Sequence, residues 1–183
     1  MKRILMFLFV LSIAITPAAF GQADQKDKTQ LAGPAQARIQ KEVRHELLML
    51  SYFGVFDDIA FQVNGATVTL LGSVTRPTLK SDAENAIKHI EGVEHIVNNI
   101  DVLPPFPMDD QLRLQLYRAI YGYGALEKYA LGAQKPIRII VKSGHVTLEG
   151  VVDTDADKSL AGLRANGVPG IFSVTNNLRI ESR

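Results

Sequence analysis

Residues 68–72 read Val-Thr-Leu-Leu-Gly, and residues 146–150 repeat them as Val-Thr-Leu-Glu-Gly. The offset of 78 residues then holds without a gap to the end of the chain, and it aligns Asn98-Asn99 with Asn176-Asn177. Self-similarity at a fixed offset is typical of a repeated structural unit. Between the copies lies Pro104-Pro105-Phe106-Pro107, which cannot continue a helix or a central strand. The sequence therefore predicts two copies of one unit joined by a short, stiff linker.

The first copy is predicted to form a helix, a hairpin, a second helix and a strand. Apolar residues spaced by four, four and three indicate a helix over about 38–50, with one buried stripe of Ile39, Val43, Leu47 and Leu50. Strands over about 59–63 and 67–71 flank Asn64-Gly65, a pair that suits a tight hairpin turn. A helix over about 78–90, with Pro77 in its first turn and Gly92 as its stop, and a strand over 93–102 complete the unit.

The second copy is predicted to repeat this order with one addition. Asp109 or Asp110 is expected to cap a helix that carries Leu112, Leu116 and Ile120. The stretch 121–136 has no counterpart in the first copy and reads as an insertion. The remaining elements are a hairpin over 137–141 and 145–148 that turns at Ser143-Gly144, a helix over 155–166 capped by Asp153, Thr154 or Asp155, and a strand over 171–180.

These elements predict an α+β protein of two tandem α-β-β-α-β units. Each unit is expected to be a small three-stranded sheet with two helices on one face. The predicted organisation is a signal peptide over 1–21, a flexible leader over 22–36, a first domain over 37–103, a linker over 104–108 and a second domain over 109–183. Units of this size bury small cores, so we expect the two copies to support one another.

The N-terminal segment predicts export from the cytoplasm. Lys2 and Arg3 precede an apolar stretch over 4–15, and small residues then offer a cleavage site after Gly21 or Ala23. An uncleaved membrane anchor is the alternative, because no charge interrupts positions 4–23. Pro17, Gly21 and Gln22 and the shortness of the apolar run favour cleavage.

Composition excludes several classes of protein and site. The 183 residues are 46% hydrophobic and 21% charged, which is typical of ordinary globular domains. The absence of cysteine excludes disulfides, thiolate metal sites, a cysteine nucleophile and a lipidated N-terminal cysteine. Without Lys2 and Arg3, 18 basic side chains face 19 acidic ones, so no general electrostatic attraction to nucleic acid is expected.

The repeated pattern resembles the BON domain of bacterial envelope proteins. The pattern is V-x-L-x-G-x-V, an alanine-containing helix, and then G-V-x-x-V-x-N-x-[LI]-x-V. The first copy supplies Val68, Leu70, Gly72, Val74, Ala83, Gly92, Val93, Val97, Asn99, Ile100 and Val102. The second supplies Val146, Leu148, Gly150, Val152, Ala161, Gly170, Ile171, Val174, Asn177, Leu178 and Ile180.

The resemblance covers about residues 37–183 and carries several expectations. It implies the same order of elements, a periplasmic or otherwise extracytoplasmic location, and attachment to or stabilisation of membranes through phospholipid. Relatives of this kind include osmotically induced periplasmic proteins and some outer-membrane lipoproteins. Because this chain has no cysteine, any membrane attachment is expected to be peripheral.

Six of the repeated residues are predicted to maintain the fold. Gly72 and Gly150 follow a strand where a positive φ or a close approach is needed, and Gly92 and Gly170 stand where helices stop. Asn99 and Asn177 fall within the closing strands, where an amide can satisfy a neighbouring loop or edge.

No motif in the sequence indicates catalysis, a cofactor or a metal. The four histidines, His45, His89, His95 and His145, show neither H-x-x-x-H nor H-E-x-x-H spacing. Asp153, Asp155 and Asp157 alternate like part of a calcium loop, but its twelfth position is Arg164 rather than Glu, which favours helix capping. With no nucleophile elbow and no phosphate loop, the chain is predicted to be a non-enzyme without a small-molecule substrate.

Charge is divided unequally between the copies and suggests a membrane surface on the second. Residues 37–103 hold 6 basic and 9 acidic side chains, whereas residues 109–183 hold 10 and 8. Tyrosines at a headgroup boundary and cations facing anionic lipid are typical of a peripheral membrane surface. The candidate lipid contacts are Arg118, Tyr121, Tyr123, Lys128, Tyr129, Lys135 and Arg138. The alternative is that the tyrosines cover the sheet and the basic residues form a solvated face.

Two classes of function follow from the sequence. The first is an exported protein that contacts anionic phospholipid through its second copy and preserves envelope integrity under stress. The second is a protein-interaction or chaperone-like module whose sheet surfaces and edges hold envelope proteins. DNA binding is disfavoured by the near-neutral charge and by the predicted export.

Overall fold

The computed structural model of the chain describes residues 25–132 and 134–181, with side chains from residue 33 onward. The first unit contains α1 (Gln25–Leu48), β1 (Asp58–Asn64), β2 (Thr67–Val74), α2 (Pro77–Ile87), β3 (His95–Asn98) and β4 (Asp101–Val102). The second contains α3 (Pro107–Tyr121), a 3-10 helix (Glu127–Ala130), β5 (Ile137–Lys142), β6 (His145–Val152), α4 (Asp155–Asn166), β7 (Ser173–Asn176) and β8 (Arg179–Ile180). The predicted signal peptide lies outside the described residues.

The two units share one sheet topology. In the first, β2 is central, with β1 antiparallel on one side and β3 and β4 parallel on the other. In the second, β6 is central, with β5 antiparallel on one side and β7 and β8 parallel on the other. Strands β3 and β4 are two parts of one closing strand, as are β7 and β8. Each sheet is therefore three strands wide. The predicted α+β architecture of two repeated units is confirmed.

Each unit has its own hydrophobic core between the central strand and its two helices. Val68 and Leu70 of β2 are fully buried with residues of α1 and α2, and Val146 and Leu148 of β6 are buried in the same way with α3 and α4. Burying one such side chain contributes about 1.5–3 kcal/mol. The alternation of apolar residues along the central strands therefore accounts for which face the helices cover.

Gly72 and Gly150 stand where the central strand passes close to the start of the hairpin. Both have a positive φ, +114° and +119°. A Cβ on Gly72 would lie 2.2 Å from the Asp58 carbonyl oxygen, and one on Gly150 would lie 1.9 Å from the Pro136 carbonyl oxygen. These two glycines are therefore required by backbone contact as well as by conformation. Gly92 and Gly170 have positive φ as well, in the turns between helix and closing strand.

The asparagines that hold the closing strand are Asn98 and Asn176, one residue before the predicted Asn99 and Asn177. The Asn98 side chain donates to the Lys80 carbonyl of α2 at 2.8 Å and accepts from the Ile100 amide at 3.3 Å. Asn176 makes the same contacts to Lys158 and Leu178 in the second unit, at 2.8 and 3.2 Å. Each residue thus bridges the break in the closing strand and ties it to a helix. The side chains of Asn99 and Asn177 are exposed, and the Asn177 amide donates to Glu149 of the neighbouring strand β6 at 2.6 Å.

Two helix starts differ from the sequence prediction. Helix α1 begins at Gln25, so residues 25–36, expected to belong to a flexible leader, are helical with Pro34 inside. Helix α3 begins at Pro107 with Phe106 as its N-cap, so neither Asp109 nor Asp110 caps it. Asp109 is instead buried and accepts hydrogen bonds from the backbone amides of Ser143 and Gly144 at 2.7 and 2.8 Å. The carboxylate satisfies the β5–β6 turn, which spacing along the chain could not reveal.

The two units pack against each other through the loop before β1 and the outer face of β5. The Ile139 amide donates to the Val55 carbonyl at 2.8 Å, and the Arg138 guanidinium donates to the Gly54 carbonyl at 2.9 Å and lies over the Phe53 ring at 4.6 Å. Lys142 pairs with Asp101 at 2.5 Å. Val55 and Phe56 extend the hydrophobic core of the second unit. The mutual support expected of two small cores therefore has a specific structural basis.

Replacing Gly150 with Ala is expected to destabilise the second unit by roughly 3 kcal/mol or more, because the new methyl group meets a backbone carbonyl and the φ is strained. Urea unfolding followed by circular dichroism measures the change. Gly124→Ala is the matched control, since nothing lies within 4 Å of its Cβ position. Equal stability of the two variants would contradict the close approach at Gly150.

Candidate functional site

Tyr121 is a structural residue that satisfies the edge of β5. Its side chain is 3% exposed at the end of α3. The hydroxyl donates to the Ile137 carbonyl at 2.6 Å and accepts from the Ile137 amide at 3.1 Å, so it replaces a missing neighbour strand at that residue. Burial raises the pKa of this phenol well above its usual value. A ring in this position is removed from any headgroup boundary.

Tyr129 and Lys128 belong to a polar cluster at the start of α4. The Tyr129 hydroxyl donates to Asp157 at 2.8 Å and accepts from the Asp153 amide at 2.8 Å. The Lys128 ammonium donates to Asp153 at 2.7 Å and to Asp157 at 3.0 Å. Thr154, one of the three residues predicted to cap α4, accepts the Asp157 amide at 3.1 Å. The aspartates at 153 and 157 thus anchor the insertion to α4.

The ionisation of this cluster follows from its contacts. Burial acts to raise the pKa of Asp157, but hydrogen bonds from Lys128 and Tyr129 outweigh it, so the pKa lies below its usual value. Hydrogen bonds to Asp153 and Asp157 raise the pKa of Lys128. Burial raises the pKa of Tyr129. At neutral pH the cluster is therefore an ion-paired group in which Lys128 is already neutralised.

Lys135 and Arg138 also have internal partners. The Lys135 ammonium donates to the carbonyls of Ala130 and Gly132 at 2.5 and 2.7 Å, which closes the loop after the 3-10 helix. Arg138 lies at the contact between the units described above, and burial lowers the pKa of its guanidinium. The structure therefore does not bring the seven candidate lipid contacts together on one free surface. Five of them stabilise the second unit or its contact with the first.

Arg118 and Tyr123 remain on the surface, where two helices add residues that the sequence did not single out. Arg118 is exposed near the end of α3 and makes no ion pair among the described residues. Tyr123 is 40% exposed, and the Arg164 guanidinium of α4 lies over its ring at 4.7 Å while donating to the Ala119 carbonyl at 3.1 Å. This places a second cation beside the end of α3.

Two exposed leucines flank these cations on the same helices. Leu114 of α3 is 53% exposed and Leu163 of α4 is 69% exposed. Both lie outside the buried apolar stripes of their helices. An apolar residue on the polar side of an amphipathic helix is the signal by which the sequence could have revealed them. We refer to Leu114, Arg118, Tyr123, Leu163 and Arg164 as the α3–α4 face.

Metal binding and membrane crossing find no support in the described part of the chain. No group of three or more histidine and acidic residues there could hold a metal ion. His45 and His89 line the groove between α1 and α2, while His95 lies on β3. Among residues 25–132 and 134–181, no helix has both the length and the apolar character needed to cross a bilayer.

The comparison with family models agrees with the internal repeat. A family model described as the BON domain matches residues 35–104 and 123–182. The chain is similar to CdsD, a structural protein of the type III secretion system of Chlamydia trachomatis, at 15% identity and a TM-score of 0.28, over 79% of this chain and 92% of that chain. It is also similar to a structure of the C-terminal domain of CdsD, at 15% identity and a TM-score of 0.28, over 78% of this chain and 96% of that chain. No curated protein matches.

Tyr121→Phe is expected to lower the free energy of unfolding by about 1–3 kcal/mol, because two buried backbone groups of Ile137 lose their partner. The control, Tyr123→Phe, removes a hydroxyl that makes no hydrogen bond among the described residues and should change stability by less than about 0.5 kcal/mol. Chemical denaturation measures both. A neutral Tyr121→Phe variant would contradict the edge-satisfying role.

Asp157→Asn is expected to lower stability at neutral pH and to lose its effect in acid. The folded-state pKa of Asp157 lies below its unfolded value, so the stability it contributes is complete above about pH 3.9 and is lost as the pH falls further through the folded pKa. The difference between wild type and variant in urea midpoints should therefore be constant from about pH 7 to 5 and shrink towards pH 3. The exposed Asp155→Asn should show a smaller difference throughout; equal effects would contradict the ion-paired role of Asp157.

Proposed function

Because the chain belongs to the BON-domain family, whose members are typically periplasmic or membrane-associated and generally non-enzymatic, we propose that it is a peripheral envelope protein that contacts anionic phospholipid through the α3–α4 face. Its contribution would be to envelope integrity under stress. The proposal retains Arg118 and Tyr123 from the sequence prediction and adds Leu114, Leu163 and Arg164.

The observation that carries this proposal is the Arg164 guanidinium stacked on the half-exposed Tyr123 ring beside Arg118. A tyrosine with one face on a cation and its edge in solvent is suited to the headgroup region, where an amphipathic ring sits between water and acyl chains. Each cation near an anionic surface contributes about 1 kcal/mol to binding. Exposed leucines on the same two helices supply apolar area for the acyl boundary.

Several other cations of the second unit are paired internally, which supports a small contact area. Lys128 is neutralised by two aspartates, and Arg138 is engaged by the first unit. Lys142 is paired with Asp101. Binding through two free arginines and a few apolar side chains is weak, reversible and sensitive to salt, since surface charges are screened within about 8 Å at physiological ionic strength.

Co-sedimentation of residues 24–183 with vesicles tests the proposal, and that segment contains every described residue. Binding is expected to anionic vesicles at low salt and to decrease at high salt and with neutral lipid. Arg118→Glu combined with Arg164→Glu should weaken binding by roughly thirtyfold or more, since two cations are removed and two anions added.

The matched control is Lys41→Glu combined with Lys88→Glu, which makes the same change in net charge on exposed positions of the first unit. It should bind vesicles nearly as well as wild type, because screening confines surface charge effects to nearby groups. Equal loss in both double variants would indicate a general charge effect and contradict a localised face. Absence of binding to anionic vesicles would contradict the lipid function itself.

A further inference from the structure

The outer hairpin strands of the two units differ in how their free edges are covered. In β5, the backbone of Ile137 is satisfied by the Tyr121 hydroxyl and the amide of Ile139 by the Val55 carbonyl. These are groups that point away from β6, because in an antiparallel pair alternate residues direct both backbone groups outward. The second unit thus has a covered edge.

In the first unit, the equivalent residues of β1 are Ile59, Phe61 and Val63. The register across the hairpin is the same, with Phe61 opposite Leu70 as Ile139 is opposite Leu148. The Val63 carbonyl accepts from the Gln36 side chain at 2.6 Å, which confirms that this set faces outward. The amides and carbonyls of Ile59 and Phe61 have no partner outside the hairpin among the described residues. This part of the β1 edge is open.

The burial of the side chains on these two strands differs in the same way. Ile137 and Ile139 are completely buried, whereas Ile59 and Phe61 are only half-buried. The exposed side of the Phe61 ring is approached by the Arg44 guanidinium, 5.7 Å from its centre. An apolar surface therefore accompanies the unpaired backbone along this edge.

The open edge is the floor of a cleft between the units. The cleft has a volume of about 680 Å³, with Gln40 and Arg44 of α1 on one wall and Glu149, Asn177 and Arg179 of the second unit on the other. Residues 59–63 present about 16 Å of strand at 3.3 Å per residue. Walls on both sides favour a single extended chain over the folded sheet of a second copy.

Charge at one end of the cleft favours a basic side chain. Asp58 and Glu149 both line it, Arg179 lies beside them, and the other cation of the lining, Arg44, belongs to the opposite wall. Burial raises the pKa of Asp58, and the charge on Glu149 raises it further, while Arg138 and Arg179 act against this. A ligand cation at this end of the cleft would therefore stabilise the ionised form of Asp58.

We propose that the open edge of β1 is a strand-addition site for an extended segment of a partner polypeptide, with apolar side chains on Phe61 and a Lys or Arg at the Asp58–Glu149 end. The backbone of the segment would bond the outward amides and carbonyls of Ile59 and Phe61. Alternate side chains would then pack beside these residues, which is the recognition mode of an exposed sheet edge. The inference is independent of the α3–α4 face.

Selection from a random heptapeptide library on residues 24–183 tests this proposal. Enriched peptides are expected to alternate apolar and polar residues and to contain a basic residue near one end. In amide NMR spectra of the labelled protein, the enriched peptide should shift residues 58–63 most strongly. N-methylation of a peptide amide that faces β1 should weaken binding roughly tenfold, while N-methylation of the neighbouring amide should have little effect.

Two protein variants localise the contact. Phe61→Pro removes the outward amide that strand addition uses, and Phe61→Leu keeps it, so the proline variant should bind roughly tenfold more weakly than the leucine variant. Asp58→Asn should weaken only peptides that keep their basic residue, with the exposed Asp82→Asn as control. If Phe61→Pro fails to fold, the N-methylated peptides still decide the result.

Several results would overturn the proposal. One is that no peptide is enriched. Another is that the NMR shifts are centred on the apolar groove of Phe106, Met108 and Phe172 instead of on β1. A third is that N-methylation weakens binding equally at neighbouring peptide amides. Self-association that protects β1 from peptide would show that a second copy occupies the edge. Arg118→Glu with Arg164→Glu should leave peptide binding unchanged, so failure of the lipid function and failure of this site are distinguishable.

Discussion

Unpaired backbone at the outer hairpin strand is the constraint on which much of this structure depends. A sheet that is three strands wide has two edges, and the first strand of the hairpin, β1 or β5, forms one of them in each unit. An exposed edge invites pairing with other chains, so proteins cover it or leave it for a partner. In the second unit, the Tyr121 hydroxyl and the Val55 carbonyl cover it. The same cover creates the contact between the units.

The fold was predictable because its determinants are local and repeated. Period-two alternation around Leu70 and Leu148 identifies the central strands, and the turn pairs at 64–65 and 143–144 identify the hairpins. What sequence reasoning missed depends on contacts distant along the chain. Asp109 reads as a helix cap from its position, but it binds a turn 34 residues away. The early start of α1 was missed because residues 25–36 lack apolar periodicity.

The candidate site was only partly predictable for a related reason. Composition identifies tyrosines and cations in the insertion, but it does not reveal which of them have internal partners. Lys128 faces Asp153 and Asp157 from an element 25 to 29 residues earlier, and the Arg138 guanidinium bonds a carbonyl 84 residues away. A basic segment in sequence can therefore be an interior network in the fold. Arg118 and Arg164, by contrast, have leucines rather than acids beside them on their helices, at positions 114, 160 and 163.

The two copies expose different groups: the first exposes a strand edge, and the second exposes arginines and leucines. In the second unit, Tyr121 and Val55 cover the edge of β5, and the exposed leucines and arginines of the α3–α4 face lie mainly on helices. In the first unit, the edge of β1 remains open at Ile59 and Phe61, and Glu149, Asn177 and Arg179 of the second unit form one wall of the cleft over it. That cleft exists only while the units are packed as they are. Arg138 bonds the Gly54 carbonyl and its charge also acts on the Asp58 carboxyl, so any change at Arg138 or Val55 that loosens the contact between the units must also alter the surroundings of Asp58.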